Sequence, residues 1–485
     1  MTIESKGVSG FTQRELFDSM LLYAVTDNAW LNGRTLEECV RAALCGGATF
    51  IQLRDKSAST EELVSEGAAL KAACADAGVP FVVDDDIEAA LALGADGVHV
   101  GQSDESCAYA RKKLGPDAIV GVSTQTVQQA LEAEAAGASY LGVGAVFGTP
   151  TKPEAFEVPL DELRAICEAV SIPVVAIGGL NAKTVPALKG SGARGAAVVS
   201  AVFAAKDITE ETAALKRVCE ATFVRSALTI AGSDSSGGAG IQADIKTMMA
   251  NGVYAQSALT ALTAQNTTGV QGVEGVAPEF VTAQIESVYS DIRPDAVKIG
   301  MLPSAAVVRA VAGALVAAGA RHVVLDPVMV ATSGSSLASS ESVQAMAECL
   351  IPLAEVVTPN IPEAEVLSGM SIATKDDMVA AGRAMCEKGC HAALVKGGHS
   401  VEDANDVLVC ASGEVTWFNG VRIQTENTHG TGCTLSSAIA ANLAKGLPLV
   451  AAIEEAKRYI TGALEHDLHL GKGSGPLNHA WNWVK

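Results

Sequence analysis

Three side chains near the start of the chain could hold an anion. A short apolar run at 50–54 carries Gln52 and Arg54, with Lys56 just beyond. Strand alternation puts all three on one side. In an acidic chain, an amide and two cations converging on one place suit an anion, with arginine as a fork and lysine as a point charge. A salt-bridged interior is the ordinary alternative. The next apolar run ends in Asp84, Asp85 and Asp86, and Asp104 follows the run after it. Carboxylates from neighbouring strand ends can share a hard divalent cation such as Mg2+, which keeps waters and bridges to phosphates. Helix capping competes for them. We read Asp86 as a cap and Asp85 with Asp104 as metal ligands. Thr149, Thr151 and Lys152 lie in a Gly/Pro loop suited to a second anion, with a plain turn as the alternative. Gly178 and Gly179, then Val199 and Ser200, close two later runs, where bare backbone N–H groups meet phosphate.

The second half has its own candidates. The loop 232–240 holds four glycines but matches neither a Walker A nor a dinucleotide fingerprint. Gly430, Thr431 and Gly432 open a long Ala-rich segment, so their amides point at one spot and form an anion hole. Cys433 in that position should have a lowered pKa and could accept a proton, although most lone cysteines are simply buried. Asn360 and Glu363 have the spacing of a Mg–phosphate site, and equally of a helix start after Pro359. Lys396 offers a cation after a strand.

These groups need elements to carry them. Eight nearly continuous apolar runs, at 21–27, 50–54, 80–84, 97–101, 119–123, 140–145, 173–178 and 196–202, alternate with helical segments such as 60–77, 126–136 and 181–188. Strands covered on both faces read this way, and eight such units fit a closed (β/α)8 TIM barrel, with an open doubly wound sheet second. From about residue 226, further strands at 226–231, 296–299, 322–326, 356–358 and 392–396 alternate with helices, as in a doubly wound, mostly parallel sheet. The expected domains are 1–220 and 221–485. The net charge of −21, from 34 Lys+Arg and 55 Asp+Glu, argues against binding nucleic acid or an anionic membrane. No segment is apolar enough to span a bilayer; 305–320 is interrupted by Arg309. Eleven scattered cysteines and no export signal read as free thiols in a reducing cytoplasm. A homo-oligomer is compatible with all of this.

Taken in order, Gln52, Arg54 and Lys56, the aspartates, Gly121 to Ser123, Thr149, Thr151 and Lys152, Gly178 and Gly179, and Val199 and Ser200 resemble the thiamine-phosphate synthases over about 20–205. That resemblance implies a barrel joining a hydroxymethylpyrimidine diphosphate to a thiazole phosphate with loss of pyrophosphate. Gln52, Arg54, Lys56, Asp84, Ser123 and Lys152 would hold the pyrimidine diphosphate. Thr149, Thr151, Gly178, Gly179, Val199 and Ser200 would meet the thiazole phosphate, and Asp85 and Asp104 would bind Mg2+. Arg54, Lys56 and Lys152 would serve the chemistry. The family usually has Asn at Asp84 and often His at Gln125. Residues 231–244, 260–267, 298–302 and 429–433 resemble the ribokinase-like hydroxymethylpyrimidine/phosphomethylpyrimidine kinases over about 226–480. By that likeness Gln265, Asp244, Thr263 and Met301 would hold the pyrimidine. Lys396, Lys457, Asn360, Gly430, Thr431 and Gly432 would meet ATP and the transferring phosphate. Glu363 would sit at Mg2+, and Cys433 would be the base. The expected protein is a cytoplasmic bifunctional enzyme of thiamine synthesis acting on small molecules with ATP and Mg2+. An active kinase carrying a non-catalytic, phosphometabolite-binding barrel is the alternative that Asp84 motivates, and a sugar kinase fused to a barrel isomerase is weaker.

Overall fold

The computed structural model describes residues 11, 13–101, 106–148, 157–329, 339–398, 405–420, 423, 425 and 427–483. The chain divides into two compact units, Met1–Val224 and Arg225–Lys485.

In the first unit, eight parallel strands close into a barrel: β1 Leu22–Val25, β2 Phe50–Leu53, β3 Phe81–Asp84, β4 Gly97–Val100, β5 Ile119–Thr124, β6 Tyr140–Val143, β7 Val174–Ile177 and β8 Gly195–Val198. Side-chain alternation builds two cores. Leu22, Ala24, Ile51 and Leu53 face outward to the helices, whereas Tyr23, Val25, Phe50 and Tyr140 fill the interior. Leu16 and Met20, at helix Gln13–Ser19, join that interior cluster. The outer helices follow local rules. Helix Thr60–Ala77 starts at a Ser59–Glu62 capping box, buries Leu63, Gly67, Leu70 and Cys74 at helical spacing, and stops at Gly78 with φ 65°. Two expected elements differ. The run 196–202 is a strand only to Val198, because Ser200–Phe203 is a short helix. The expected helix at 181–188 is a single 3-10 turn, Val185–Leu188, since Pro186 removes a donor.

The second unit is a nine-stranded sheet in the order β11-β10-β9-β12-β13-β14-β15-β16-β17. Its strands are β9 Ser226–Asp234, β10 Tyr254–Asn266, β11 Gly269–Gly275, β12 Ala296–Ile299, β13 Val323–Leu325, β14 Val356–Val357, β15 Ala392–Val395, β16 Asp406–Cys410 and β17 Val415–Phe418. The central strands are parallel, and the pairs β10–β11, β15–β16 and β16–β17 are antiparallel. Each face has a core. Leu228, Ile230, Val297 and Ile299 pack on one side; Ala227, Ala296 and Val324 pack on the other, under helix Thr431–Ala444. That alternation sends Lys298 to the second face, where the same helix covers it.

Candidate active sites

The barrel encloses a cavity of about 810 Å3 at the C-terminal strand ends. Gln52, Arg54, Lys56, Asp84, Asp85, Ser123, Gly178, Gly179, Val199 and Ser200 all line it, as does Gln125. Asp104, Thr149, Thr151 and Lys152 lie outside the described residues. Arg54 Nε is 3.4 Å from Asp84 Oδ2, and its Nη1 is 3.8 Å from Asp27 Oδ2. Lys56 Nζ lies 2.5 Å from Asp85 and 3.9 Å from Asp84. Three carboxylates therefore face two cations, so the cluster cannot neutralise a diphosphate by itself. A hard oxygen pair on Asp84 and Asp85 suits Mg2+, which takes one or two carboxylates and fills its shell with water and phosphate. Among the described residues no group of three or more acidic, His or Cys side chains is placed to enclose a metal. Asp85 holds φ 59°, with its N–H on the His99 carbonyl at 2.8 Å; a non-glycine residue in this region is strained, as functional positions often are. Asp86 is the N-cap of helix Ile87–Leu93.

Burial pushes the Asp84 carboxyl up to about 7, with Asp85 adding repulsion and Lys56 and Arg54 opposing. Burial also lowers His99 to about 4, so its ring is neutral. Gly178 and Gly179 have φ 99° and 62°, and a Cβ on either would collide with Ala145 or Gly148, which explains the need for glycine there.

The second cavity, about 760 Å3, is lined by Thr263, Gln265, Met301, Asn360, Glu363, Lys396, Gly430, Thr431, Gly432 and Cys433, and also by Asp234, Asp326 and His429. Two expected residues are not at its wall. Asp244 is fully buried, its carboxylate taken by Lys298, Thr229 and Ser437; an apolar-faced helix start put it beneath the floor. Lys457 is bound to Asp406 instead. Asn360 and Glu363 line the cavity but form the capping box of helix Ile361–Ser368. Asp326 is the neighbouring carboxylate: it meets Lys396 Nζ, Thr358 and Ser436, each at 3.3 Å. With Glu363 it offers hard oxygens that fit Mg2+. The expectation for Cys433 reverses. Burial pushes its thiol up to about 11, outweighing Lys298 and a backbone bond from Gly240.

Sequence reading missed Asp27, Tyr23, His99 and Tyr140 in the barrel and Asp234, Asp326, Lys298 and His429 in the sheet unit. Most of them sit inside or at the end of apolar runs, where a polar residue in a buried strand was the available signal.

The family model for thiamine monophosphate synthase matches residues 22–202, and that for phosphomethylpyrimidine kinase matches 234–478. A thiamine biosynthesis bifunctional protein ThiED of Geobacter sulfurreducens is 46% identical over 472 residues, covering 96% of this chain and 95% of the relative. The chain belongs to the bifunctional thiamine biosynthesis family. Within that family it carries a thiamine-phosphate synthase domain followed by a hydroxymethylpyrimidine/phosphomethylpyrimidine kinase domain, and the reading of the barrel as a mere binding module is not favoured. The kinase half is similar to a hydroxymethylpyrimidine/phosphomethylpyrimidine kinase of Rhizobium meliloti, 50% identical over 263 residues, covering 53% of this chain and 98% of that protein. It is also similar to a Bacillus subtilis pyridoxal kinase solved with ADP, 38% identical, covering 54% of this chain and 100% of that chain, with a TM-score of 0.51. The barrel and ribokinase-like folds expected from sequence both stand. No helix among the described residues is long and apolar enough to cross a membrane.

Proposed function

We propose that the kinase unit phosphorylates 4-amino-5-hydroxymethyl-2-methylpyrimidine to its monophosphate and then its diphosphate, with ATP as donor. The barrel couples that diphosphate to hydroxyethylthiazole phosphate, giving thiamine phosphate and pyrophosphate in a cytoplasmic enzyme. The carboxylate-ringed pair Arg54 and Lys56 at the barrel mouth carries this reading.

In the barrel, Arg54 and Lys56 grip the diphosphate oxygens and stabilise the charge that develops as the carbon–oxygen bond breaks. The thiazole nitrogen then attacks the pyrimidine methylene cation, and pyrophosphate leaves. Gln52 and Ser123 orient the ring. The turns at Gly178, Gly179, Val199 and Ser200 offer backbone amides to the thiazole phosphate, and the resemblance to the synthase family assigns Thr149, Thr151 and Lys152 to the same group. In the kinase, Thr263, Gln265 and Met301 hold the pyrimidine. Gly430 to Gly432 and Lys396 hold the transferring phosphoryl group, and the thiolate form of Cys433 takes the hydroxyl proton as ADP leaves. When bound, Mg2+ neutralises phosphate charge; Asp85 with Asp84 and Asp104 would hold it in the barrel, and Glu363 with Asp326 in the kinase.

The test supplies the full chain with ATP, Mg2+, hydroxymethylpyrimidine and thiazole phosphate and looks for thiamine phosphate. Ready-made pyrimidine diphosphate should release pyrophosphate without ATP; a barrel that leaves it intact sinks the synthase assignment. Arg54→Ala should lower synthase kcat/KM about 100-fold, the loss of roughly one charge-assisted donor to the leaving group.

Asp84→Asn tests the carboxylate directly. A carboxyl raised to about 7 in the fold keeps its proton where the unfolded chain has already lost it. Its contribution to stability is therefore greatest below pH 4, falls between pH 4 and 7, and is gone above 7. The variant should melt higher than the parent at pH 8 and equally at pH 4. Equal melting at both pH values counts against the raised carboxyl.

A further inference from the structure

Beneath the synthase cavity runs a single file of hydrogen bonds. Gln52 Nε2 donates to Asp84 Oδ1 at 2.5 Å. The Tyr23 hydroxyl donates to Gln52 Oε1 at 2.7 Å, and the Tyr140 hydroxyl lies 2.7 Å from that of Tyr23. His99 Nδ1 is 2.9 Å from the Tyr140 oxygen, and His99 Nε2 is 2.9 Å from Ser123 Oγ. Tyr23, Tyr140, Gln52 and His99 are all buried. The file exists because β5 and β6 carry glycine beside it. A Cβ on Gly121 would stand 2.2 Å from Tyr140 and 2.5 Å from His99 Nδ1, and one on Gly142 would stand 3.1 Å from the His99 ring.

Each link holds one proton, so one end dictates every direction. Gln52 gives its amide hydrogen to the Asp84 carboxylate, and its carbonyl must then receive the Tyr23 proton. The Tyr23 oxygen can accept only from Tyr140. The Tyr140 oxygen in turn accepts from His99, which places the ring proton on Nδ1. The unprotonated Nε2 then takes the hydroxyl hydrogen of Ser123. We infer that Tyr23, Tyr140 and His99 are positioning residues that fix Ser123 as a hydrogen-bond acceptor toward the cavity, so that the synthase selects a ring bearing an amino donor over one bearing an oxo oxygen. The inference rests on the proposed pyrimidine diphosphate occupying this cavity. The neutrality of the buried His99 fits it, because a doubly protonated ring would donate at both nitrogens. A site wired as acceptor leaves an oxo oxygen facing another acceptor, which is costlier than a missing contact.

The experiment has two arms, both on the full chain at pH 8. Nitrogen-15 NMR of the ligand-free protein reads the His99 tautomer: the proton is expected on Nδ1, with Nε2 bare. A proton on Nε2 overturns the inference. The second arm compares kcat/KM for hydroxymethylpyrimidine diphosphate and for its 4-oxo counterpart. The parent should prefer the amino ring by at least about 100-fold. Tyr140→Phe cuts the file, lets Ser123 turn, and should lower that preference to about tenfold or less, chiefly by admitting the oxo ring. Undiminished preference in the variant overturns the inference. If the parent turns over neither ring, it is the synthase reading that has failed, and the tautomer arm still decides the wiring. If Tyr140→Phe fails to fold, His99→Gln carries the same comparison.

Discussion

Replacing Cys433 with alanine is expected to lower kinase kcat about 100- to 10,000-fold, the usual worth of a positioned base, while synthesis of thiamine phosphate from supplied pyrimidine diphosphate continues. The reason lies in how the thiol is held. It sits in the first turn of helix Thr431–Ala444, with Gly430 as N-cap at φ 88°. The amides there favour an anion, yet burial dominates and pushes the thiol up to about 11. Near neutral pH nearly all of it is protonated, so a proton-accepting thiolate grows tenfold per pH unit. The kinase rate should rise with nearly that slope from pH 7 to 9. Cys433→Asp puts in the acid that most ribokinase relatives carry at this position; a free carboxyl titrates about four to five pH units below a free thiol, so even raised by the same burial it is far more ionised near neutral pH than the thiol. It should flatten that slope while retaining more activity than alanine. A kinase that is pH-independent in the parent, or unharmed in Cys433→Ala, removes Cys433 from the base role.

How much of this could be read beforehand follows from what the chain must bury. The eight barrel strands are legible because both faces are covered, and Leu22–Val25 or Val174–Ile177 then read as unbroken apolar runs. The same logic hides β10 and β11. The outer part of β10 alternates exposed and half-buried residues, while β11 is mostly exposed and has glycines at both ends and in the middle, so no continuous apolar run marks them. At the sites, Arg54, Lys56 and the aspartates stand out because charge at a strand end is conspicuous. Tyr23 and Tyr140 do not, since aromatics in a strand look like core until their hydroxyls are seen to meet. Asp244 was misplaced for a related reason. Its motif surrounds it with pocket residues, but helix Gly240–Ala250 turns it inward, onto Lys298. Spacing gives the face of a helix only when its axis is known. The Cys433 thiol was misjudged because the pull of helix amides is readable from sequence, whereas how far the surrounding elements keep water from the thiol is not.

That inward turn makes the last prediction. Asp244 and Lys298 are both completely buried, 2.9 Å apart, and Ser437 and Thr229 complete the carboxylate's hydrogen bonds at 2.6 and 2.5 Å. Lys298 stays charged because Asp244 offsets its burial. Asp244→Ala leaves an ammonium with no counter-charge and should cost the kinase unit about 3–5 kcal/mol. Lys298→Met leaves a bare carboxylate and should cost a similar amount. The double variant Asp244→Leu with Lys298→Met removes both charges and fills the space, so it should recover most of the loss. The readout is the urea midpoint for loss of kinase activity, which follows this unit alone. Strong coupling in the double-mutant cycle is the expected outcome. Additive losses would mean that the two charges do not depend on each other. The pair also brackets the thiol: Lys298 lowers the Cys433 pKa and Asp244 raises it. Lys298→Met alone should therefore move the kinase pH profile to higher pH, and the double variant should bring it part of the way back. Stability and acid–base behaviour would then trace to the same two buried groups, with opposite signs on the thiol and a shared sign on the fold.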